Sequence, residues 1–140
     1  KYYSKKINVF GLNSSNPKMV SKFLKKINLK ETFKYFDIII DDGSHKKSDQ
    51  LNTLNHFYQY LVDGGFYVIE DYKFSDYFKH LNDIDDVKID ELADYVLRKK
   101  QFSSSLVSSQ VIELLLNTNK NVYKYKGNTD ISDIVFFEKN

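Results

Sequence analysis

Two strand-like segments of this chain end in carboxylates, and a histidine follows the first. The segment FDIIIDDGSH, residues 36–45, runs from β-branched residues into Asp42 and then His45. The segment GGFYVIED, residues 64–71, ends in Asp71 in the same way. Mg²⁺ prefers carboxylate oxygens in proteins and keeps several waters. Asp42 and Asp71 are therefore candidate metal ligands, and the alternative is that they cap helices or are solvated at strand ends.

His45 is a candidate general base. It lies three residues after Asp42, beyond Gly43, which permits a sharp turn of the backbone. An imidazole has an unperturbed pKa of about 6.5, so it can take a proton from a hydroxyl near neutral pH. The alternative is an exposed loop histidine or a residue at the start of a helix. Asp41 and Glu70 precede the two candidate ligands, and strand alternation turns such neighbours to opposite faces.

The elements around these residues alternate, which predicts a parallel sheet built from βαβ units. Strands are predicted at 6–12, 36–42 and 66–71, and helices from Pro17 to about Asn28 and from Ser48 to about Leu61, where Asp63-Gly64-Gly65 stops the helix. The strand at 36–42 is apolar up to its acids and is predicted to be central. Right-handed crossovers place the carboxyl ends of parallel strands at one edge, where ligands bind.

The second half of the chain is less regular. It predicts helices over 90–100 and from Val107 to about Asn117, and then strands over 121–126 and 133–139. The loop at 127–130 joins the last two strands into an antiparallel hairpin. The predicted fold class is α/β, with a Rossmann-like parallel sheet closed by an antiparallel C-terminal hairpin.

Composition narrows the function. The 140 residues suffice for one domain, and 41% hydrophobic residues argue against disorder. The net charge is +2 and Arg98 is the only arginine, so nucleic-acid binding is not expected. The lack of cysteine excludes thiolate zinc sites and cysteine nucleophiles and fits a cytoplasmic location. No apolar run reaches the length of a membrane span.

The combination of DIIIDDGSH and DGGFYVIEDY resembles class I S-adenosylmethionine-dependent methyltransferases. It is most similar to their metal-dependent O-methyltransferases of macrolide sugars. By this resemblance, 6–12, 36–42 and 66–71 correspond to the third, fourth and fifth strands of the family, and the hairpin to the sixth and seventh. The resemblance implies that Asp42 and Asp71 hold the metal and that His45 is the general base.

The resemblance also implies an activity and its cofactors. It implies methyl transfer from S-adenosylmethionine to a hydroxyl of a sugar or small polar metabolite, assisted by a divalent metal, Mg²⁺ in the first instance. The implied cofactor contacts are Asn13, Ser14 and Asp41. The loop Asn13-Ser14-Ser15-Asn16-Pro17 matches a G-D-x-x-D-P-like segment of the family, with asparagine at both acidic positions. A homo-oligomer is left open.

Parts of the family pattern are not found in the sequence. None of the five glycines belongs to a G-x-G-x-G loop, and the second strand and an upstream glutamate ligand have no counterpart. The expectation is a single methyltransferase-like domain at 1–140 that lacks its first two strands and belongs to a longer enzyme. Two alternatives stay open: a phosphorylated or amide-bearing acceptor on the same scaffold, or a degenerate, non-catalytic domain that binds a partner.

Overall fold

The protein is built on a four-stranded sheet in the order β1-β2-β4-β3. The computed structural model describes residues 10–27, 36–129 and 131–140. The strands are β1 (Phe36–Asp41), β2 (Leu61–Glu70), β3 (Asn119–Lys126) and β4 (Asp133–Lys139). β1 and β2 are parallel, whereas β4 runs antiparallel to both β2 and β3. The predicted α/β fold with a C-terminal hairpin is confirmed.

The helices of the described residues precede or connect these strands. They are α1 (Pro17–Lys26), α2 (Lys47–Phe57), α3 (Phe74–Tyr77), α4 (Ile89–Leu97) and α5 (Ser109–Thr118), with a 3₁₀ turn at Tyr58–Tyr60. α1 begins as predicted, because the Asn16 side chain accepts hydrogen bonds from two backbone N–H groups and Pro17 needs none. No helix among the described residues is long and apolar enough to cross a bilayer.

The core lies between the helices and one face of the sheet. Side chains alternate along a strand, so Tyr67 and Ile69 of β2 share this face, and both are fully buried. They pack in one cluster with helix residues that include Val20, Leu51, Leu54, Leu92, Val96 and Leu115. Each such aliphatic side chain contributes about 1.5–3 kcal/mol when fully buried. The helices are thereby held against the sheet.

The opposite face of the sheet, here called the bare face, is apolar and open. Ile38, Ile40 and Tyr125 are each 59% exposed. An open depression of about 580 Å³ on this face is lined by Ile38, Phe66, Val68, Tyr123, Tyr125, Ile134 and Phe136. Parallel strands are normally covered on both faces, so this exposure is unusual.

β1 is an edge strand in the described part of the chain, which corrects the prediction that it is central. It pairs with β2 alone in this sheet. Its apolar run predicts burial on both faces, yet Ile38 and Ile40 are exposed on the bare face. An apolar sequence indicates that a strand is covered by apolar groups on both faces. It does not indicate that the covering groups belong to this segment of the chain.

β2 begins at Leu61 rather than at the predicted Phe66. The helix gives way to the 3₁₀ turn, and Gly64 and Gly65 lie inside the strand instead of ending a helix. The β1–β2 register is irregular here, since Phe36 pairs with Leu61 but Ile38 with Phe66. A Cβ on Gly65 would lie 2.8 Å from the Asp37 carbonyl oxygen, so the glycine permits this close approach.

The remaining predicted elements divide into described and undescribed parts. Residues 6–9 of the first predicted strand, and the predicted helix end at Asn28, lie outside the described residues. Residues 10–12 form no strand, and the Phe10 ring packs edge-on against Phe23 of α1 at 5.1 Å. The two later helices are confirmed, with bounds one to three residues from those predicted.

Candidate active site

The structure brings the candidate base and both candidate ligands together at the carboxyl ends of β1 and β2. Because these strands are parallel neighbours, Asp42 and Asp71, which follow them, project at the same edge. His45 Nε2 lies 4.0 Å from Asp42 Oδ1 and 3.9 Å from Asp71 Oδ2. The arrangement places an imidazole between two carboxylates from different strands.

The backbone at this site is unusual. His45 has φ 57° and Asp71 has φ 49°, both in the left-handed region. This conformation costs a non-glycine residue about 1–2 kcal/mol and persists where the surroundings hold it, often at functional sites. The sequence placed the turn at Gly43, but the left-handed residue is His45 itself. Gly43 instead provides space, since a Cβ there would lie 3.0 Å from Asp41 Oδ1.

The three side chains are partly open to solvent and are not hydrogen-bonded to one another. The exposed fractions are 63% for Asp42, 33% for Asp71 and 24% for His45. Separations near 4 Å exceed a hydrogen bond, so Nε2 stays available to a third group. His45 Nδ1 is buried and has no hydrogen-bond partner within the described residues. The accessible nitrogen of the ring is therefore the one that faces the carboxylates.

The donor set suits a hard divalent ion. Asp42 and Asp71 offer carboxylate oxygens, which Mg²⁺ combines with waters and substrate oxygens. Among the residues described, no group of three or more Asp, Glu, His or Cys side chains is arranged to hold a metal ion. Two protein carboxylates are thus what this segment can contribute to such a site.

An aromatic ring that is not among the predicted site residues borders the site. Phe74 of α3 lies 5.3 Å from the His45 ring, and Phe78 lies 4.7 Å from Phe74. The available sequence signal was its position three residues after Asp71. Tyr72, which follows Asp71, is 2% exposed and belongs to the core.

The residues assigned to cofactor contacts separate into two groups. Ser14 and Asp41 line one groove of about 410 Å³ beside β1. Ser14 Oγ lies 3.1 Å from Thr53 Oγ1, which fixes it to α2. Asn13 is not among the residues that line this groove, and its side chain accepts hydrogen bonds from the N–H and hydroxyl of Ser15.

Asp41 is the buried member of the acid pair at the end of β1. Burial, and secondarily the charge of Asp49, raises the pKa of Asp41 to about 7. The Gly43 N–H partly offsets this by a hydrogen bond to the carboxylate. Asp41 Oδ2 has no partner within the described residues. A buried, unpartnered oxygen at the groove can accept a hydrogen bond from a ligand.

Comparisons with known proteins agree with this fold. No family model matches the chain. An L-olivosyl-oleandolide 3-O-methyltransferase of Streptomyces antibioticus is 50% identical over 36 residues, which cover 26% of this chain and 9% of that protein.

Solved structures of the MycE methyltransferase from the mycinamycin biosynthetic pathway align with almost the whole chain. The complex with Mg and SAH gives a TM-score of 0.65 at 18% identity and covers 98% of this chain and 34% of that one. The complex with Mg, SAH and mycinamycin VI gives 0.59 at 19% identity, covering 94% and 31%. The chain thus spans about a third of the length of these structures. It has the fold of a methyltransferase, and the resemblance predicted from the two motifs is confirmed at the level of the fold.

Proposed function

We propose that the protein containing this chain transfers a methyl group from S-adenosylmethionine to a hydroxyl of a sugar or small polar metabolite. The observation that carries the proposal is the position of His45 Nε2, 3.9 and 4.0 Å from carboxylates that follow two parallel strands. The fold of a methyltransferase solved with Mg and SAH supports it. So does the local similarity to an enzyme named as a sugar O-methyltransferase.

We also propose that residues 1–140 are one methyltransferase-like domain that lacks its first two strands. The chain spans a third of the length of the solved structures that it matches. Among the described residues β1 pairs with β2 alone, and Ile38 and Ile40 are exposed, which fits a sheet with further strands beside β1. A cytoplasmic location is part of the same proposal and agrees with the absence of cysteine.

Asp42 and Asp71 would hold a divalent ion, Mg²⁺ by the chemistry of their oxygens. When bound, the ion supplies positive charge that makes a nearby acceptor hydroxyl more acidic. Their partial exposure leaves room for an acceptor, and the left-handed backbone at Asp71 aims its carboxylate toward His45.

His45 would take the proton of the acceptor hydroxyl at Nε2. This nitrogen is accessible and has no hydrogen bond to either carboxylate. Phe74 restricts the ring on one side at 5.3 Å. S-adenosylmethionine, when bound, supplies the electrophilic methyl group that the deprotonated oxygen attacks. Ser14 and Asp41 would contact this cofactor from their groove, and Asn13 would contribute only through its loop.

The test is methyl transfer by the full-length protein with radiolabelled S-adenosylmethionine. The acceptor panel contains glycosides and free sugars, together with phosphorylated and amide-bearing compounds. We expect a methyl ether on a hydroxyl acceptor, activity lost in EDTA, and activity restored by Mg²⁺. Transfer only to phosphorylated or amide acceptors would contradict the assigned acceptor. Full-length protein that binds neither S-adenosylmethionine nor its product in calorimetry would contradict the enzyme and favour a non-catalytic domain.

A further inference from the structure

A buried lysine lies two residues beyond the candidate base. Lys47 is the first residue of α2 and is 3% exposed. Its Nζ donates to the Asp86 carbonyl oxygen at 3.0 Å, and its backbone N–H donates to the Leu81 carbonyl oxygen at 3.0 Å. An ammonium group loses much hydration on burial, so it is tolerated where its hydrogen bonds compensate. Both bonds of Lys47 reach the same loop, residues 81–88.

This loop is itself anchored on two sides. Asp83 accepts hydrogen bonds from Ser48 of α2, at 3.1 Å from the N–H and 2.6 Å from the hydroxyl. The Asp86 carboxylate accepts from the hydroxyls of Ser104 and Ser105 at 3.0 and 2.7 Å. Lys47 therefore attaches the start of α2 to a loop that is itself held by hydrogen bonds to Ser104 and Ser105.

The left-handed backbone of His45 lies in residues 44–47, which lead into the first turn of α2. His45 is left-handed, and Ser44 beside it donates to Asp49 and accepts from the Lys46 N–H at 3.3 Å. The segment from Ser44 to Lys47 is thus fixed at both ends. Movement of the first turn of α2 would move the His45 backbone, and with it the distances from Nε2 to the two carboxylates.

We propose that Lys47 is a positioning residue for His45. Its ammonium bond to the Asp86 carbonyl holds the first turn of α2 against loop 81–88 and so keeps the imidazole between Asp42 and Asp71. The consequence for catalysis rests on the proposed function, but the positioning itself does not.

The chain offers a matched control at a distance from the site. Lys139 of β4 is 1% exposed, and its Nζ donates to the Leu61 carbonyl oxygen at 2.7 Å. It is a second buried ammonium bonded to a carbonyl, but at the amino end of β2. Replacing either lysine by methionine removes the same chemical group from a buried position. A general loss of stability therefore appears in both variants, and a positioning effect appears in one.

The experiment compares Lys47→Met, Lys139→Met and wild type in the full-length protein. The first measurement is the NMR signal of the His45 ring and its nuclear Overhauser effect to Phe74, which needs no activity. The second is the kinetics of methyl transfer. For Lys47→Met we expect a shifted His45 signal, a weakened effect to Phe74 and a kcat about 10- to 100-fold lower, with KM for S-adenosylmethionine nearly unchanged. For Lys139→Met we expect a lower Tm with the His45 signal and kcat retained.

Lys47→Arg keeps a buried cationic donor and is expected to recover part of the His45 signal and of kcat. The same variant tests the proposal where Lys47→Met does not fold. An unchanged His45 signal in Lys47→Met, equal effects in Lys139→Met, or no recovery in Lys47→Arg would overturn the proposal. A wild type without methyl transfer, but with a Lys47-dependent His45 signal, would instead contradict the proposed function and leave the positioning intact.

Discussion

Two polar clusters lie on the same sheet and differ in how their charges are satisfied. The first cluster surrounds Glu138 of β4, which pairs with Phe66 of β2. Glu138 accepts hydrogen bonds from Lys120 at 2.9 Å, Asn121 at 3.2 Å and Tyr123 at 2.7 Å. These bonds, that of Lys120 foremost, lower the pKa of Glu138 to about 2. At the carboxyl ends, the carboxylates of Asp42 and Asp71 stay about 4 Å from His45.

This difference in hydrogen bonding predicts different roles for the two clusters. Polar groups that only stabilise a fold are normally saturated with hydrogen bonds, as around Glu138. A site that binds ligands must keep acceptors open and can retain a strained backbone that other contacts stabilise. We therefore expect substitutions at the His45 cluster to change activity more than stability, and substitutions at the Glu138 cluster to do the reverse.

If the proposed function is correct, the largest effect is expected from His45→Ala in the full-length protein. Loss of a general base lowers kcat by about 10²- to 10⁴-fold. Binding of S-adenosylmethionine, followed by calorimetry, is expected to change little, because His45 is not among the residues that line the Ser14–Asp41 groove. His80→Ala, at an exposed histidine, serves as the control with normal turnover. Loss of cofactor binding in His45→Ala would show a structural role.

A smaller effect on turnover is expected from Asp71→Asn, because an amide oxygen is a weaker ligand than a carboxylate. Mg²⁺ affinity is expected to fall by at least about 10-fold, so that stimulation of activity requires correspondingly higher Mg²⁺ and is absent at the concentrations that saturate wild type. A titration of activity against Mg²⁺ measures this. Glu70→Gln changes the adjacent carboxylate and is expected to keep the wild-type titration. An unaltered Mg²⁺ response in Asp71→Asn would remove this residue from the site.

The smallest effect is expected from Glu138→Gln, and on stability alone. The folded pKa lies below the ordinary value of 4.5, so the carboxylate stabilises the fold above pH 4.5, and this stabilisation is lost as the pH falls toward 2. Thermal unfolding at pH 7 is expected to show a Tm roughly 2–4 °C lower than wild type. The difference in Tm between Glu138→Gln and wild type should disappear toward pH 2. Glu113→Gln, at an exposed helix position, should show no difference in Tm from wild type. A gap that persists at pH 2 would mean that packing, not charge, is responsible.

The juxtaposition of Asp42, His45 and Asp71 was predictable from the sequence, because it depends on short spacing along the chain and on the pairing of neighbouring strands. Asp42 and His45 lie within one turn, and parallel pairing brings the end of β2 beside them. The edge position of β1 was not predictable, because an apolar run does not specify which strands flank it. The left-handed φ of His45 was likewise not predictable, because Gly43, two residues earlier, is the residue expected to adopt the turn conformation.

Long-range contacts were the other unpredictable part. Lys47 reads as a solvated residue in a polar KKSD run, yet it is buried because loop 81–88, far along the chain, covers it. Phe74 reads as a core aromatic, and its contact with His45 depends on the turn at Asp71. Sequence periodicity reports which face of an element is apolar, but not which distant segment contacts it.

The bare face has a consequence for the behaviour of this chain in solution. Apolar patches larger than a few hundred Å² are rare on soluble monomers and promote self-association. Here the exposed apolar side chains of the bare face adjoin β1, whose outer edge pairs with no strand in the described part of the chain and so presents backbone donors and acceptors there. Two copies of the chain on its own could thus bind through side chains and backbone together. Self-association of the isolated chain through this face then increases with protein concentration.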